Sequence, residues 1–251
     1  IWAGSFFQGE RYDARLEDAL DDPSAWRPAV VVPVLDRNAD PALRAKPDLP
    51  VRVFETLTGS LVGQSRPDID SWIYDMGVNM VGVPHVTLTA ARGQDIVIRT
   101  AEMLYPDLRE YRDGDIDGLL MTENLREALA TARHTAKDGP QQYRPSFTFH
   151  GYRYVEISGT RGPLPEGAVR GVVLSSIPEI TGEVSTSHPL LNQLGANLVR
   201  SQLGNFLSIP TDCPQRNERM GWMESVTEFA RTYLGVDPVN ELVPVYPTCH
   251  Y

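Results

Sequence analysis

Asp212, Arg216, Glu218 and Arg219 fall within eight consecutive positions, with Pro214 inside the group and Gly221 and Trp222 following after Met220. Carboxylates beside guanidinium groups can bind several hydroxyls at once, because each charged group presents its donors or acceptors in a fixed fork. Trp222 offers a flat apolar face on which a sugar ring can stack. Glu218 has the chemistry of a general acid where a shielded site keeps its proton on, and two neighbouring arginines work against that. The same residues equally suit a solvent-facing charged loop with Trp222 packed on the core, since acid–arginine clusters are common on surfaces. Spacing alone does not separate these two readings.

A loop that positions several polar groups needs rigid flanks. Before it, Ser187 can cap, Pro189 fits a first helical turn, and Leu190, Leu191, Leu194, Leu198 and Val199 recur at helical spacing. A helix is therefore expected to about Leu207, with Pro210 stopping it. After the loop, Val226, Phe229, Ala230 and Tyr233 at i, i+3, i+4 and i+7 predict a second helix, closed by Gly235 and Pro238.

Upstream, the pattern is that of strands. Val86, Leu88 and Ala90 alternate with threonines, Arg92-Gly93-Gln94 breaks the run, and Ile96 and Ile98 resume it, which predicts a hairpin. Phe147 and Phe149 alternate, Gly151 marks a bulge or bend, Tyr152 and Tyr154 follow, and Val172 to Leu174 form a last run. Repeated short strands with turns between them predict an antiparallel β-sandwich. Glu123 to Ala136 consists of helix formers and is expected to be helical. Residues 37 to 50, rich in Pro, Asp and charge, suit a linker.

The formal net charge of −10 argues against a nucleic-acid backbone or an anionic membrane as partner, because both need a basic surface. The two cysteines, Cys213 and Cys249, are too few for a disulfide framework or a Cys-based zinc site. His85, His134, His150, His188 and His250 show no metal-ligand spacing, and His150 suits a packed or hydrogen-bonded role. No cofactor and no metal are expected. The chain starts at Ile1 without an initiator Met or a signal-like segment, which reads as a fragment or processed product. Localisation stays open between cytoplasmic and secreted, and the sequence does not set the oligomeric state.

The segment Pro210 to Trp222, PTDCPQRNERMGW, closely resembles the signature PTDCPQRDERLGWTGD of the bacterial α-L-rhamnosidases. Further segments resemble that family in the same order: GERYDARLEDA, YDMGVNMVGVPHVTLTA, AEMLYPD, TENLREA, YRPSFTFHGYRYVEISG and LLNQLGANLVRSQLGNFLSIPTDCP. They cover residues 9 to about 233. The resemblance implies a mainly β chain, an antiparallel concanavalin-like β-sandwich followed by the first helices of an (α/α)6 barrel. It divides the chain into residues 1–45 (end of an N-terminal β domain and linker), 46–182 (sandwich) and 183–251 (start of the six-hairpin glycosidase domain).

It also implies hydrolysis of terminal α-L-rhamnosides with inversion, so α-L-rhamnose-containing glycosides or oligosaccharides are the expected partners. Inversion needs a general acid on the leaving oxygen and a base on the opposite face. By position Glu218 is the general acid, and Asp212, Arg216 and Trp222 bind the sugar, with Glu224 as a further candidate. The family's base, a glutamate much further along its barrel, matches none of Glu224, Glu228 or Glu241, so the 251 residues alone are expected to show no turnover. Where the family motif continues with Gly-Asp, this chain has Glu224 and Ser225, and Asn217 stands in place of an Asp. A second reading from another class is a non-catalytic carbohydrate-binding or structural β-sandwich with a vestigial barrel start.

Overall fold

A computed structural model describes residues 3–31 and 49–221, apart from 67 and 69. In chain order its strands are β1 (Ala3–Ser5), β2 (Gly9–Asp13), β3 (Arg52–Thr58), β4 (Ser60–Arg66), β5 (Ser71–Ala90), β6 (Asp95–Ala101) and β7 (Met103–Leu104). There follow β8 (Leu120–Met121), β9 (Thr131–Thr135), β10 (Gly139–Tyr143), β11 (His150–Ser158), β12 (Val169–Ser175), β13 (Phe206–Leu207) and β14 (Ile209–Pro210). Two α-helices are described, a short α1 (Arg109–Asp113) and the longer α2 (Pro189–Gly204). No helix among the described residues is long and apolar enough to cross a membrane.

The 20-residue β5 organises the sandwich. Its first part, Ser71 to Asp75, pairs with β4 and β11, Met80 to Gly82 pairs with the start of β11, and Gly82 to Ala90 pairs with β12 and β10. Between them Gly77 takes a φ of 82°, a left-handed conformation that glycine adopts without a Cβ clash. One layer is therefore β4, the start of β5, β11, β6 and β9, and the other is β3, β12, the end of β5 and β10. Ile96, Ile98, Tyr152, Val155 and Ile157 from the first layer meet Val86, Leu88, Val169 and Val173 from the second in one buried cluster. Burying each of the isoleucines contributes about 1.5–3 kcal/mol.

The predicted hairpin between Val86 and Ile98 is not one. A tight turn does join β5 to β6, with Gln94 N–H donating to the Ala91 carbonyl at 3.0 Å. Both ladder edges of β6 are taken by β9 and β11, so the two strands face each other across the core rather than pairing. The expected helix over Glu123 to Ala136 is also corrected. Only Glu123–Leu125 forms a 3-10 turn, and Thr131–Thr135 is β9. Arg126 and Ala130 adopt positive φ, which ends any helix, and Ala132, His134 and Ala136 bury alternate side chains on the sheet. Tertiary packing overrides the helix propensity of this stretch.

Residues 9–13 join the same sheet, because β2 pairs in parallel with β9. The buried carboxylate of Glu10 fixes this addition. It accepts from the Tyr143 hydroxyl at 3.1 Å and from the backbone N–H groups of Ser146 and Phe147 at 3.0 and 3.2 Å. The rings of His134, Tyr12 and Tyr143 form a triangle, with His134 stacked at 5.7 Å from Tyr12 and 4.7 Å from Tyr143 and the two tyrosines 5.7 Å apart.

The predicted helix before the loop is present, shorter than expected. Pro189 sits in its first turn, but its N-cap is His188 and the start is tied by Thr186 and Asn192 rather than by Ser187. It ends at Gly204, and Phe206–Leu207 folds back on Ile209–Pro210 with Ser208 at φ 72°. Pro210 thus belongs to a strand pair, not to a helix stop. The second predicted helix, over 226–233, lies outside the described residues.

Candidate active-site loop

Thr211 to Gly221 run from the end of β14 as an irregular loop. Its start is pinned from two sides. Thr211 N–H donates to the Asn205 carbonyl at 2.9 Å, and the Thr211 hydroxyl donates to the Gly204 carbonyl at 3.3 Å. The preceding strand pair is tied to the sandwich, with Ser176 N–H donating to Phe206 O and Ser208 N–H donating to Ser176 Oγ, both at 2.7 Å. Asp212 and Cys213 both take a φ of 39°, so the chain turns sharply as soon as it leaves β14.

The loop then lies directly on β11 at Gly151. A Cβ built there would stand 3.0 Å from Gln215 Cβ and 3.1 Å from its backbone nitrogen. The glycine read in the sequence as a bulge or bend is needed for this approach. The actual register shift of β11 on β5 falls between Tyr152 and Tyr154.

Arg219 fastens the other end of the loop. Its guanidinium is buried, donates through Nη1 to the carbonyls of Phe6 at 2.6 Å and Phe149 at 2.5 Å, and lies over the rings of Phe7 and Phe149. Burial pushes it down to about 10, which leaves it charged at neutral pH. His150 beside it is pushed down to about 3, first by burial and then by the Arg219 charge, and bonds Thr148 Oγ1 at 3.2 Å. His150 is thus a packed, neutral residue, as its sequence context predicts.

Between these anchors the structure brings Asp212, Arg216 and Glu218 together. Arg216 donates to Glu218 Oε2 through Nε at 2.8 Å and Nη2 at 2.6 Å. One ligand-type atom each from Asp212, Cys213 and Glu218 lies within 4.8 Å of the others. Burial alone would lower the Arg216 guanidinium, but Glu218, Cys213 and Asp212 outweigh it and raise it. The Cys213 thiol is pushed up to about 11 by burial and by Asp212, to which it donates at 3.6 Å. With Glu218 Oε2 already taken by the positively charged Arg216 guanidinium, the cluster is a poor cation cage. What the arrangement suits is a neutral polyol met by carboxylate and guanidinium groups.

Trp222, Glu224 and Ser225 lie outside the described residues. The sandwich, however, contributes polar groups that the sequence did not single out. Arg126 Nη1 stands 3.8 Å from Glu218 Oε2, and Glu127 Oε2 accepts from Asn217 Nδ2 at 3.1 Å. Glu102 accepts from Asn79 at 2.9 Å and Asn124 at 3.0 Å, and burial, outweighing those bonds and the charge of Arg216, holds its carboxyl above the usual range. Glu102 lines a cleft of about 580 Å³ that reaches Cys213 to Gln215 but stops short of Glu218.

The sequence pattern of the bacterial alpha-L-rhamnosidase concanavalin-like domain matches residues 65–175, and that of the bacterial alpha-L-rhamnosidase 6 hairpin glycosidase domain matches residues 179–244. An alpha-L-rhamnosidase of Streptomyces avermitilis is 37% identical over 239 residues, covering 92% of this chain and 22% of the relative. One from Formosa agariphila is 37% identical over 245 residues, covering 92% of this chain and 24% of the relative. Among solved structures, an alpha-L-rhamnosidase from Dictyoglumus thermophilum superposes with a TM-score of 0.78 at 34% identity, covering 92% of this chain and 25% of that one. The Streptomyces avermitilis enzyme complexed with L-rhamnose gives 0.67 at 39% identity, over 75% of this chain and 17% of that one. The chain spans about a quarter of the length of the curated relatives it matches. With a concanavalin-like sandwich leading into the start of a six-hairpin domain, it belongs to the bacterial α-L-rhamnosidase family.

Proposed function

We infer that this chain is part of a glycoside hydrolase that removes terminal α-L-rhamnose from glycosides or oligosaccharides with inversion at the anomeric carbon. The observation that carries this reading is the pair of Arg216 contacts to Glu218, beside Asp212, on a loop with the family's signature. Glu218 acts as the general acid on the leaving oxygen. Asp212, Arg216 and Trp222 hold the sugar, with Glu224 as a further contact. The opposing base is assigned to none of the glutamates after Trp222. An inverting pair is set about 6.5–9.5 Å apart to admit a water, a distance that no two carboxylates of one short loop need to span. The domain division 1–45, 46–182 and 183–251 belongs to the same reading, with the acid at the start of the third unit.

The test uses the complete gene product and a chromogenic α-L-rhamnoside. Hydrolysis is expected, with β-L-rhamnose as the first-formed sugar by NMR and a loss of roughly 10²–10⁴-fold in Glu218→Gln. Rhamnose binding without hydrolysis, with Glu218→Gln unchanged, would return the second reading, a non-catalytic carbohydrate-binding sandwich.

A further inference from the structure

Arg126 has a backbone that folding alone does not explain. Its φ of 54° and ψ of −116° lie where a side chain is strained, at a cost on the order of 1–3 kcal/mol. Its guanidinium is more than half exposed, so the 3.8 Å contact with Glu218 returns less than about 1 kcal/mol of stability. Yet the residue is held firmly from both sides. Leu125 is fully buried against Ala128, Ala130 and Phe7. Asn124 is tied to Glu102. The Gln8 side chain donates to the Glu127 carbonyl at 3.2 Å and accepts from Leu129 N–H at 2.9 Å. Strain maintained around an outward-pointing side chain marks a positional demand on that side chain.

The demand is visible at Glu218. Both Arg216 contacts and the Arg126 contact fall on the same oxygen, Oε2. Oε1 makes no hydrogen bond or ion pair with the described residues. With Oε2 occupied by guanidinium N–H donors, Oε1 is the oxygen of this carboxyl group left open to a proton or to a substrate oxygen.

We propose that Arg126, on the β-sandwich, is a positioning residue for the acid: with Arg216 it holds Oε2 of Glu218, so that the proton is carried and delivered from Oε1. This rests on Glu218 being the general acid. The step moves one proton from Oε1 to the departing glycosidic oxygen as the anomeric C–O bond breaks, while a water bonds to the anomeric carbon from the opposite face and gives its proton to the opposing base, leaving the Glu218 carboxylate paired with both arginines. Proper aim of that proton matters only where the leaving group needs it.

The experiment compares phenyl and 2,4-dinitrophenyl α-L-rhamnosides in the complete gene product. Arg126→Gly removes the guanidinium while suiting the left-handed backbone, so the fold is retained. It should lose about tenfold in kcat on the phenyl substrate and stay within about twofold on the dinitrophenyl one, whose leaving group departs without a proton, with KM little changed. Arg126→Lys should recover part of the loss. Equal losses on both substrates, or no loss on either, overturn the proposal. A wild-type protein that cleaves neither substrate overturns the acid assignment and this inference with it, whereas a dinitrophenyl-active wild type with an unaffected Arg126→Gly overturns only the latter.

Discussion

Asn217 donates from Nδ2 to Glu127 Oε2 at 3.1 Å, joining the signature loop to the segment that follows the 3-10 turn of the sandwich. The resembling signature has an Asp where this chain has Asn217. An Asp there would face Glu127 with a second carboxylate and no donor. Asn217→Asp should therefore destabilise the protein by about 0.5–1.5 kcal/mol. Glu127→Gln should restore most of it. A urea-melt double-mutant cycle on the two positions checks this, and zero coupling energy would show that the contact is idle.

Gly151 is the seat of the loop on β11. Gly151→Ala puts a methyl group against Gln215 Cβ and backbone nitrogen, neither of which can swing away as a long side-chain tip does. The expected cost is about 1–3 kcal/mol, taken up by lifting the loop. Rhamnoside hydrolysis should then fall by more than about tenfold, since small misplacements of a reacting group are costly. An alanine variant with wild-type rates would show that the seat does not set the position of Glu218.

Arg219 serves packing. Replacing it with Met keeps the apolar contact with Phe7 and Phe149 but deprives the carbonyls of Phe6, Phe149 and Arg216 of their donor. A loss of about 2–4 kcal/mol is expected, with faster proteolysis in the 211–221 loop. Arg219→Lys should recover part of it, because an ammonium can reach only some of these acceptors.

His150 imposes a pH dependence on stability. Its folded value, about 3, lies below its ordinary 6.5, so between these limits the unfolded chain binds a proton that the folded chain refuses. Its contribution is fully present above pH 6.5 and is lost as pH falls toward 3, by up to about 1.4 kcal/mol per pH unit. Urea midpoints at pH 7 and pH 5 should differ in the wild type and differ less in His150→Gln. Equal differences in both would exclude His150 as the source.

The sandwich was legible because its signal is local. Val86, Leu88 and Ala90, or Ile96 and Ile98, alternate toward one core whichever neighbours they pair with. What alternation does not encode is the partner, and so a turn between opposed layers read as a hairpin. Glu123 to Ala136 misled for the opposite reason: its residues favour a helix, and the ladder with β6 and β2 that makes β9 is supplied by segments far off in sequence. Asp212, Arg216 and Glu218 could be found together because they share one loop. Arg126 and Glu127 could not, since Asn217 and Glu127 stand 90 positions apart and meet only when the sheet is built.

The turn between β1 and β2 holds both sides of the site, through Gln8 to the 127–129 segment and through the Phe6 carbonyl to Arg219. Phe6 and Arg219 are separated by 213 positions. At ribosomal speeds of about 5–20 residues per second, Phe6 is made roughly 10–40 s before its partner. The sandwich can thus close on the nascent chain while the acid-bearing loop is still inside the ribosome, and the tie from Phe6 to that loop waits until Arg219 has emerged.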